Sequence, residues 1–253
     1  KNIVDNPDAR KLQRTPVPVL GGVAVFFGIV IGIGSVESAV NSSGLLIVIM
    51  AMMAMLYTGT MDDILNLSPA LRFLIEILVV LLLIHAGGYC IDDFHGLWGI
   101  GRIPRWIAVP LTVVASVGII NAINLIDGID GLASGLSIIA LSVLGSLYLY
   151  YSQWVYAMFA FSALGTLLSF FYYNVFGKAD RCTKIFMGDT GSLTLGYMLA
   201  FLTISYATVN PQIHPYFEGA IIVAFAPLIV PAFDVFRVML IRARNHKPLF
   251  IAD

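Results

Sequence analysis

A chain of 253 residues that is 59% hydrophobic and 11% charged, with a mean hydropathy of +0.90, is too apolar and too sparsely charged for an ordinary soluble domain. Its net charge of −1 points to no partner, and no nucleic-acid ligand is expected. Two cysteines, Cys90 and Cys182, placed by hydropathy at opposite membrane faces, exclude a disulfide between them and any cysteine metal motif.

A membrane-spanning helix needs about 20 mostly apolar residues, and eight such runs follow one another, roughly 17–36, 44–60, 71–90, 105–123, 132–151, 154–173, 192–209 and 218–241. Runs of that length suit helices and not barrel strands. The expected fold is an all-α polytopic membrane helical bundle of about eight transmembrane helices, one domain over 1–253. With the amino-terminal segment in the cytosol, that side collects Lys1, Arg10, Lys11, Arg14, Arg72, Lys178, Arg181, Lys184, Arg237, Arg242, Arg244 and Lys247, or 12 of the 14 basic residues, leaving Arg102 and Arg105 outside.

In chain order, the second run ends at Asp62-Asp63, two adjacent carboxylates whose repulsion calls for a nearby cation or basic group. One turn separates Arg72 from Glu76, the spacing of an intrahelical ion pair. His85 reads as a packed, hydrogen-bonded helix residue. The outer stretch from Tyr89 to Arg105 reads as a solvated loop carrying Asp92 and Asp93, with Trp98 and Trp106 suited to an interfacial belt. His95 and His214 are expected to face outward, away from the other acids.

The fourth gap is the richest, with Asn121 and Asn124 three apart and Asp127 and Asp130 three apart. In a helix that spacing puts each pair on one face, and four polar side chains in ten positions of a membrane segment are functional by default. Gly128, Gly131 and Gly135 open the fifth run, serving close helix packing or close approach of a ligand. Gly188-Asp189-Thr190-Gly191-Ser192 precedes the seventh run, where free N–H groups favour anions. Pro227 and Pro231 should bend or break the last run, either as a simple kink or by leaning it away to open a lipid groove, and Asp234 with Arg237 and Arg242 should pair along it. The three gaps at Asp62-Asp63, Asn121 to Gly131 and Met187 to Ser192 then share one face, as Mg²⁺ chemistry on phosphate requires.

Thr15-Pro16-Val17-Pro18-Val19-Leu20-Gly21-Gly22, Asp62-Asp63 with Asn66, the Asn121 to Ala133 stretch, Met187 to Ser192 and the tail Lys247-Pro248-Leu249-Phe250-Ile251-Ala252-Asp253 together resemble the polyprenyl-phosphate N-acetylhexosamine-1-phosphate transferase family. The resemblance implies a bacterial inner-membrane enzyme, facing the cytosol, that joins a UDP-N-acetylhexosamine to undecaprenyl phosphate and releases UMP. It further implies that Asp189 and Asn124 hold Mg²⁺, with Mn²⁺ as the alternative. On the same grounds, Asn121, Asp127, Asp130 and Arg72 bind substrate, with Asp130 nearest the uracil, and Asp62 and Asp63 handle the lipid phosphate as catalytic residues with Asp189. The tail favours UDP-N-acetylglucosamine, as in O-antigen and teichoic acid initiation, over the muramoyl-peptide donor of the peptidoglycan branch. A homodimer is compatible with the reading.

The family's His-rich motif is not matched by His246, and its first helix is not matched either. Because the chain starts without Met and stops after a basic stretch, further protein is expected on both sides. Rival readings fit less well. Transporters hold ionisable sites near the membrane midplane, not at helix ends. The CDP-alcohol phosphotransferases continue past Gly131 with residues missing here. An intramembrane aspartyl protease needs Gly where Phe186 stands, and a non-catalytic membrane binding or transport protein stays as the alternative.

Overall fold

A computed structural model describes residues 4–5, 16–35 and 43–245. Lys1, Arg10, Lys11, Arg14, Thr15, His246 and the Lys247 to Asp253 tail, each used in the reading above, lie outside the described residues. The helices are α1 (Gly21–Gly34), α2 (Ser43–Leu65), α3 (Pro69–Gly87), α4 (Arg105–Ile126), α5 (Leu132–Tyr150), α6 (Trp154–Phe176), α7 (Gly188–Ala207), α8 (Ala220–Phe225) and α9 (Ile229–Arg244). One two-stranded pairing joins Val4–Asp5 to Val17–Pro18, antiparallel.

Local chemistry sets several of these boundaries. Ser68 caps α3 by accepting the Leu71 N–H, Pro69 supplies a pre-set first position, and Gly88 closes the helix at φ 77°. Gly131 enters α5 at φ 75°, in a space where a Cβ would press on Val175 and Phe171. A 3₁₀ turn at Ala226–Leu228, containing Pro227, separates α8 from α9, so the last run is broken as its two prolines predict. Within α9, Pro231 alone is buried, while Phe233, Phe236 and Leu240 are exposed. The Asp234 to Arg237 pair forms at 2.7 Å, three residues apart.

Among the described residues six helical segments are long and apolar enough to cross a membrane: α2, α3, α4, α5, α6 and the α8–α9 unit. The chain is therefore a multi-pass membrane protein. The first of the eight expected runs forms only the 14-residue α1. The seventh forms α7, which packs against α1, α2, α4, α5 and α8 and is buried without a break from Thr190 to Ala207. A helix wrapped in protein meets no lipid, so Gly, Ser and Thr replace part of its apolar surface.

At the end of the bundle remote from the acidic gaps, the outer loop departs from its expected form. Asp93 and His95 are buried, with Asp93 Oδ1 accepting the His95 N–H at 2.6 Å and the Asp93 backbone paired antiparallel with that of Arg102, while Asp92 accepts the Val209 N–H at 3.3 Å. His214 is buried too, its ring nitrogens 2.8 Å from the Pro215 and Tyr206 carbonyls. Burial of the His95 imidazole holds its pKa below the usual range. These acids and histidines fold the loop and do not stand solvated, because its backbone needs partners that the short helices leave out. His85 is exposed in the last turn of α3 and is not packed, since the helix ends two residues later.

Candidate active site

The acidic gaps meet where α7 begins. A Cβ on Gly59 of α2 would collide with the Asp189 carbonyl and the Thr190 Cα, and one on Gly22 of α1 would collide with the Gly191 backbone. Glycine at both positions lets α1 and α2 close on the first turn of α7. That contact brings Asp63, in the last turn of α2, against the free N–H groups of α7. Asp63 accepts the Asp189 N–H at 2.9 Å, the Thr190 N–H at 3.0 Å and the Thr190 hydroxyl at 2.6 Å. It therefore caps α7 from another helix, where a carboxylate also meets the positive end of the helix dipole.

Asp62 is buried and turns away from α7. Its Oδ1 accepts the Leu67 N–H at 2.8 Å and its Oδ2 pairs with Arg72 Nη1 at 3.1 Å. Arg72 Nε also lies 3.7 Å from the fully buried Glu76, in the intrahelical pairing its spacing predicts. Glu76 Oε2 in turn accepts Asn121 Nδ2 at 2.5 Å. Asn121 thus ties α4 to α3, one turn before Asn124.

Asn124 donates its amide hydrogens to Asp189 Oδ1 at 2.5 Å and to Ser192 Oγ at 2.8 Å. An aspartate and an asparagine in contact are hard oxygen donors of the type Mg²⁺ takes. No group of three or more His, Cys, Asp or Glu capable of holding a metal occurs among the described residues. Asp189 and Asn124 alone would leave most of an ion's shell to substrate phosphates and water.

Asp127 and Asp130 do not share a helical face, because α4 stops at Ile126 and both residues lie in the turn before α5. Asp127 falls inward. Burial first, then the charges of Asp189, Asp63 and Asp130, push its carboxyl up to about 8. A folded-state pKa above the unfolded value stabilises the protein below the ordinary carboxylate range and loses that contribution as pH rises toward 8. Cation-free protein should therefore unfold more readily at about pH 8.5 than at about pH 5.5, by roughly 1–2 kcal/mol once solvent screening is allowed for. Asp127→Asn should flatten that profile in thermal melts; an unchanged slope would assign it to other groups.

Asp130 turns outward and pairs with Lys184 Nζ at 2.5 Å. Lys184 also lies 5.7 Å from the centre of the Phe186 ring. Behind this pair sits Asn174, a buried amide near the end of α6. Its Oδ1 accepts the Gly131 N–H at 2.7 Å and its Nδ2 donates to the Ile185 carbonyl at 3.0 Å. Sequence reasoning passed over Asn174 and Lys184. The available signal for the first was a lone amide inside Phe170-Phe171-Tyr172-Tyr173-Asn174-Val175-Phe176; Lys184 had no signal beyond its charge.

The family model for glycosyl transferase family 4 matches residues 45–207. Over 253 residues the chain is 34% identical to the probable undecaprenyl-phosphate N-acetylglucosaminyl 1-phosphate transferase of Bacillus subtilis, covering 99% of this chain and 67% of that protein. It is 28% identical over 256 residues to the undecaprenyl-phosphate alpha-N-acetylglucosaminyl 1-phosphate transferase of Salmonella typhi, and 27% over 257 residues to that of Escherichia coli K12, each with 99% of this chain and 66% of the relative covered. The chain thus spans about two thirds of the length of these relatives.

Proposed function

The chain belongs to glycosyl transferase family 4, and from that premise we propose that it serves a protein transferring N-acetylglucosamine 1-phosphate from its UDP-sugar to undecaprenyl phosphate, with release of UMP. One observation carries the reading beyond the shared names. Acids and amides from three separate segments, α2, α4 and α7, meet at the first turn of α7, with Asp63 capping it and Asn124 holding Asp189. We read this end of the bundle as cytosolic, on the distribution of Lys and Arg.

In the reaction an oxygen of the lipid phosphate forms a bond to the sugar-linked phosphorus, and the bond from that phosphorus to the bridging oxygen breaks, the oxygen leaving on UMP. Phosphoryl transfer gains mainly from positioning and charge neutralisation. Mg²⁺, or Mn²⁺ in its place, would be held by Asp189 and Asn124 and would neutralise diphosphate charge when bound. Arg72, held by Asp62 and Glu76, supplies positive charge for a phosphate. Asp62 acts on the lipid phosphate, and Asp63 supports it by fixing the start of α7. Asp127 and Asp130 serve the nucleotide side, and Asn121 orients Asn124's neighbourhood through Glu76. Direct attack by the lipid phosphate is favoured over a covalent aspartyl intermediate, because three donors already engage Asp63 and an arginine engages Asp62.

UMP release by the detergent-purified full-length protein, given undecaprenyl phosphate, UDP-N-acetylglucosamine and Mg²⁺, tests the proposal. Release that depends on the lipid and stops with EDTA is the expected outcome. Release with a different UDP-sugar alone would replace the donor, and silence with every donor would overturn the enzymatic reading.

A further inference from the structure

The Lys184 to Asp130 pair is built into the fold. Asp130 precedes Gly131, whose N–H is held by Asn174, and Lys184 precedes Ile185, whose carbonyl is held by the same buried amide. The Lys184 side is pinned a second time, since the Phe186 N–H donates to the Pro18 carbonyl at 3.0 Å and the Gly21 and Gly22 N–H groups donate to the Phe186 and Met187 carbonyls. Two segments 54 residues apart are thus fixed so that an ammonium and a carboxylate meet at the edge of the acidic cluster. A chance surface pair has no such scaffold. The Asp130 carboxylate is about half exposed, so without Lys184 it would be free to turn.

We propose that Lys184 is a positioning and specificity residue for the nucleobase of the donor, presenting with Asp130 a donor beside an acceptor to the uracil edge. The inference rests on the assignment of Asp130 to the nucleotide side. Uracil offers an N3–H flanked by carbonyl oxygens. A carboxylate accepts the N–H, and an ammonium fixed next to it donates to the adjoining carbonyl. Asp130 can do so with its second oxygen while Oδ2 stays on Lys184, because a carboxylate has about four acceptor sites. Cytosine presents an unprotonated N3 to the same carboxylate and is rejected. The lysine also offsets repulsion between Asp130 and an incoming diphosphate in a site crowded with acids.

Calorimetric binding of UMP and CMP to the full-length protein in detergent tests this, with Lys184→Ala and Lys184→Arg beside the wild type. Lys184→Ala should weaken UMP about tenfold and CMP much less, narrowing the preference, while Lys184→Arg keeps most of it. In turnover, KM for UDP-N-acetylglucosamine should rise about tenfold with kcat within about twofold, a split that a merely structural loss would not produce. UMP affinity within about twofold of wild type in Lys184→Ala, or equal losses for UMP and CMP, would overturn the proposal. A wild-type protein that does not distinguish UMP from CMP would overturn the uridine-donor reading itself, before any variant is compared, and the role of Lys184 with it.

Discussion

Asp189→Asn should lower UMP release by about three orders of magnitude while leaving the protein folded. Asn is isosteric with Asp, and its carbonyl oxygen can still accept the Asn124 amide that Asp189 Oδ1 accepts at 2.5 Å. What it lacks is the anionic oxygen that the proposed divalent cation on the donor diphosphate would take. The substitution also removes one negative charge from the field of Asp62 and Asp63. The variant should therefore melt at or above the wild-type temperature, the pattern expected where a site is arranged for chemistry at some expense to stability. Turnover at saturating donor and lipid, measured beside a thermal melt in the same detergent, separates the two effects. A loss of less than about tenfold would remove Asp189 from the centre of the reaction.

Asp63→Ala should fail in a different way, losing stability and activity together. Its carboxylate satisfies the Asp189 and Thr190 N–H groups and the Thr190 hydroxyl, and alanine leaves all three without it at a buried helix start. Two partly buried N–H donors orphaned at once, with the Thr190 hydroxyl left only its 3.2 Å bond to Thr60, should cost about 2–4 kcal/mol. Asp63→Asn retains one carbonyl oxygen and should cost less. Denaturant or thermal unfolding in micelles reads the difference, and activity of any folded Asp63→Ala protein should fall because Asp189 sits on the turn that Asp63 holds. If Asp63→Ala melted like the wild type, the cap would not be what fixes α7.

The contrast between these residues marks how far the sequence could be read. Spans follow from hydropathy because lipid imposes a length and a composition on every helix it touches. The rule weakens for α7, whose neighbours and not lipid set its composition, and for α1, which is too short. Asn121 and Asn124 do occupy one helix near its end, as their spacing suggests, whereas Asp127 and Asp130 part company because α4 has already ended. Where each carboxylate turns depends on partners remote in sequence: Asp63 on Thr190, Asp130 on Lys184, Asn121 on Glu76. Local spacing carries no record of such pairings. The outer acids Asp92 and Asp93 looked solvated for the same reason, since the backbone groups they satisfy belong to a loop whose path the sequence does not specify.

The enclosure of α7 bears on how the protein is made. A helix with Gly191, Ser192, Thr194, Gly196, Thr203 and Ser205 in its length is a weak candidate for partition into lipid on its own, and it falls outside the six segments that qualify by apolarity. Its main partners α1, α2 and α4 all precede it in the chain, so they are already synthesised when it leaves the ribosome. Insertion of α7 then depends on docking between those earlier helices, and Asp63 is waiting at the end of α2 to receive its first turn. Defects in α2 or α4 should accordingly surface during biogenesis, as chains that stall before α7 is seated and are degraded, ahead of any effect on a finished enzyme.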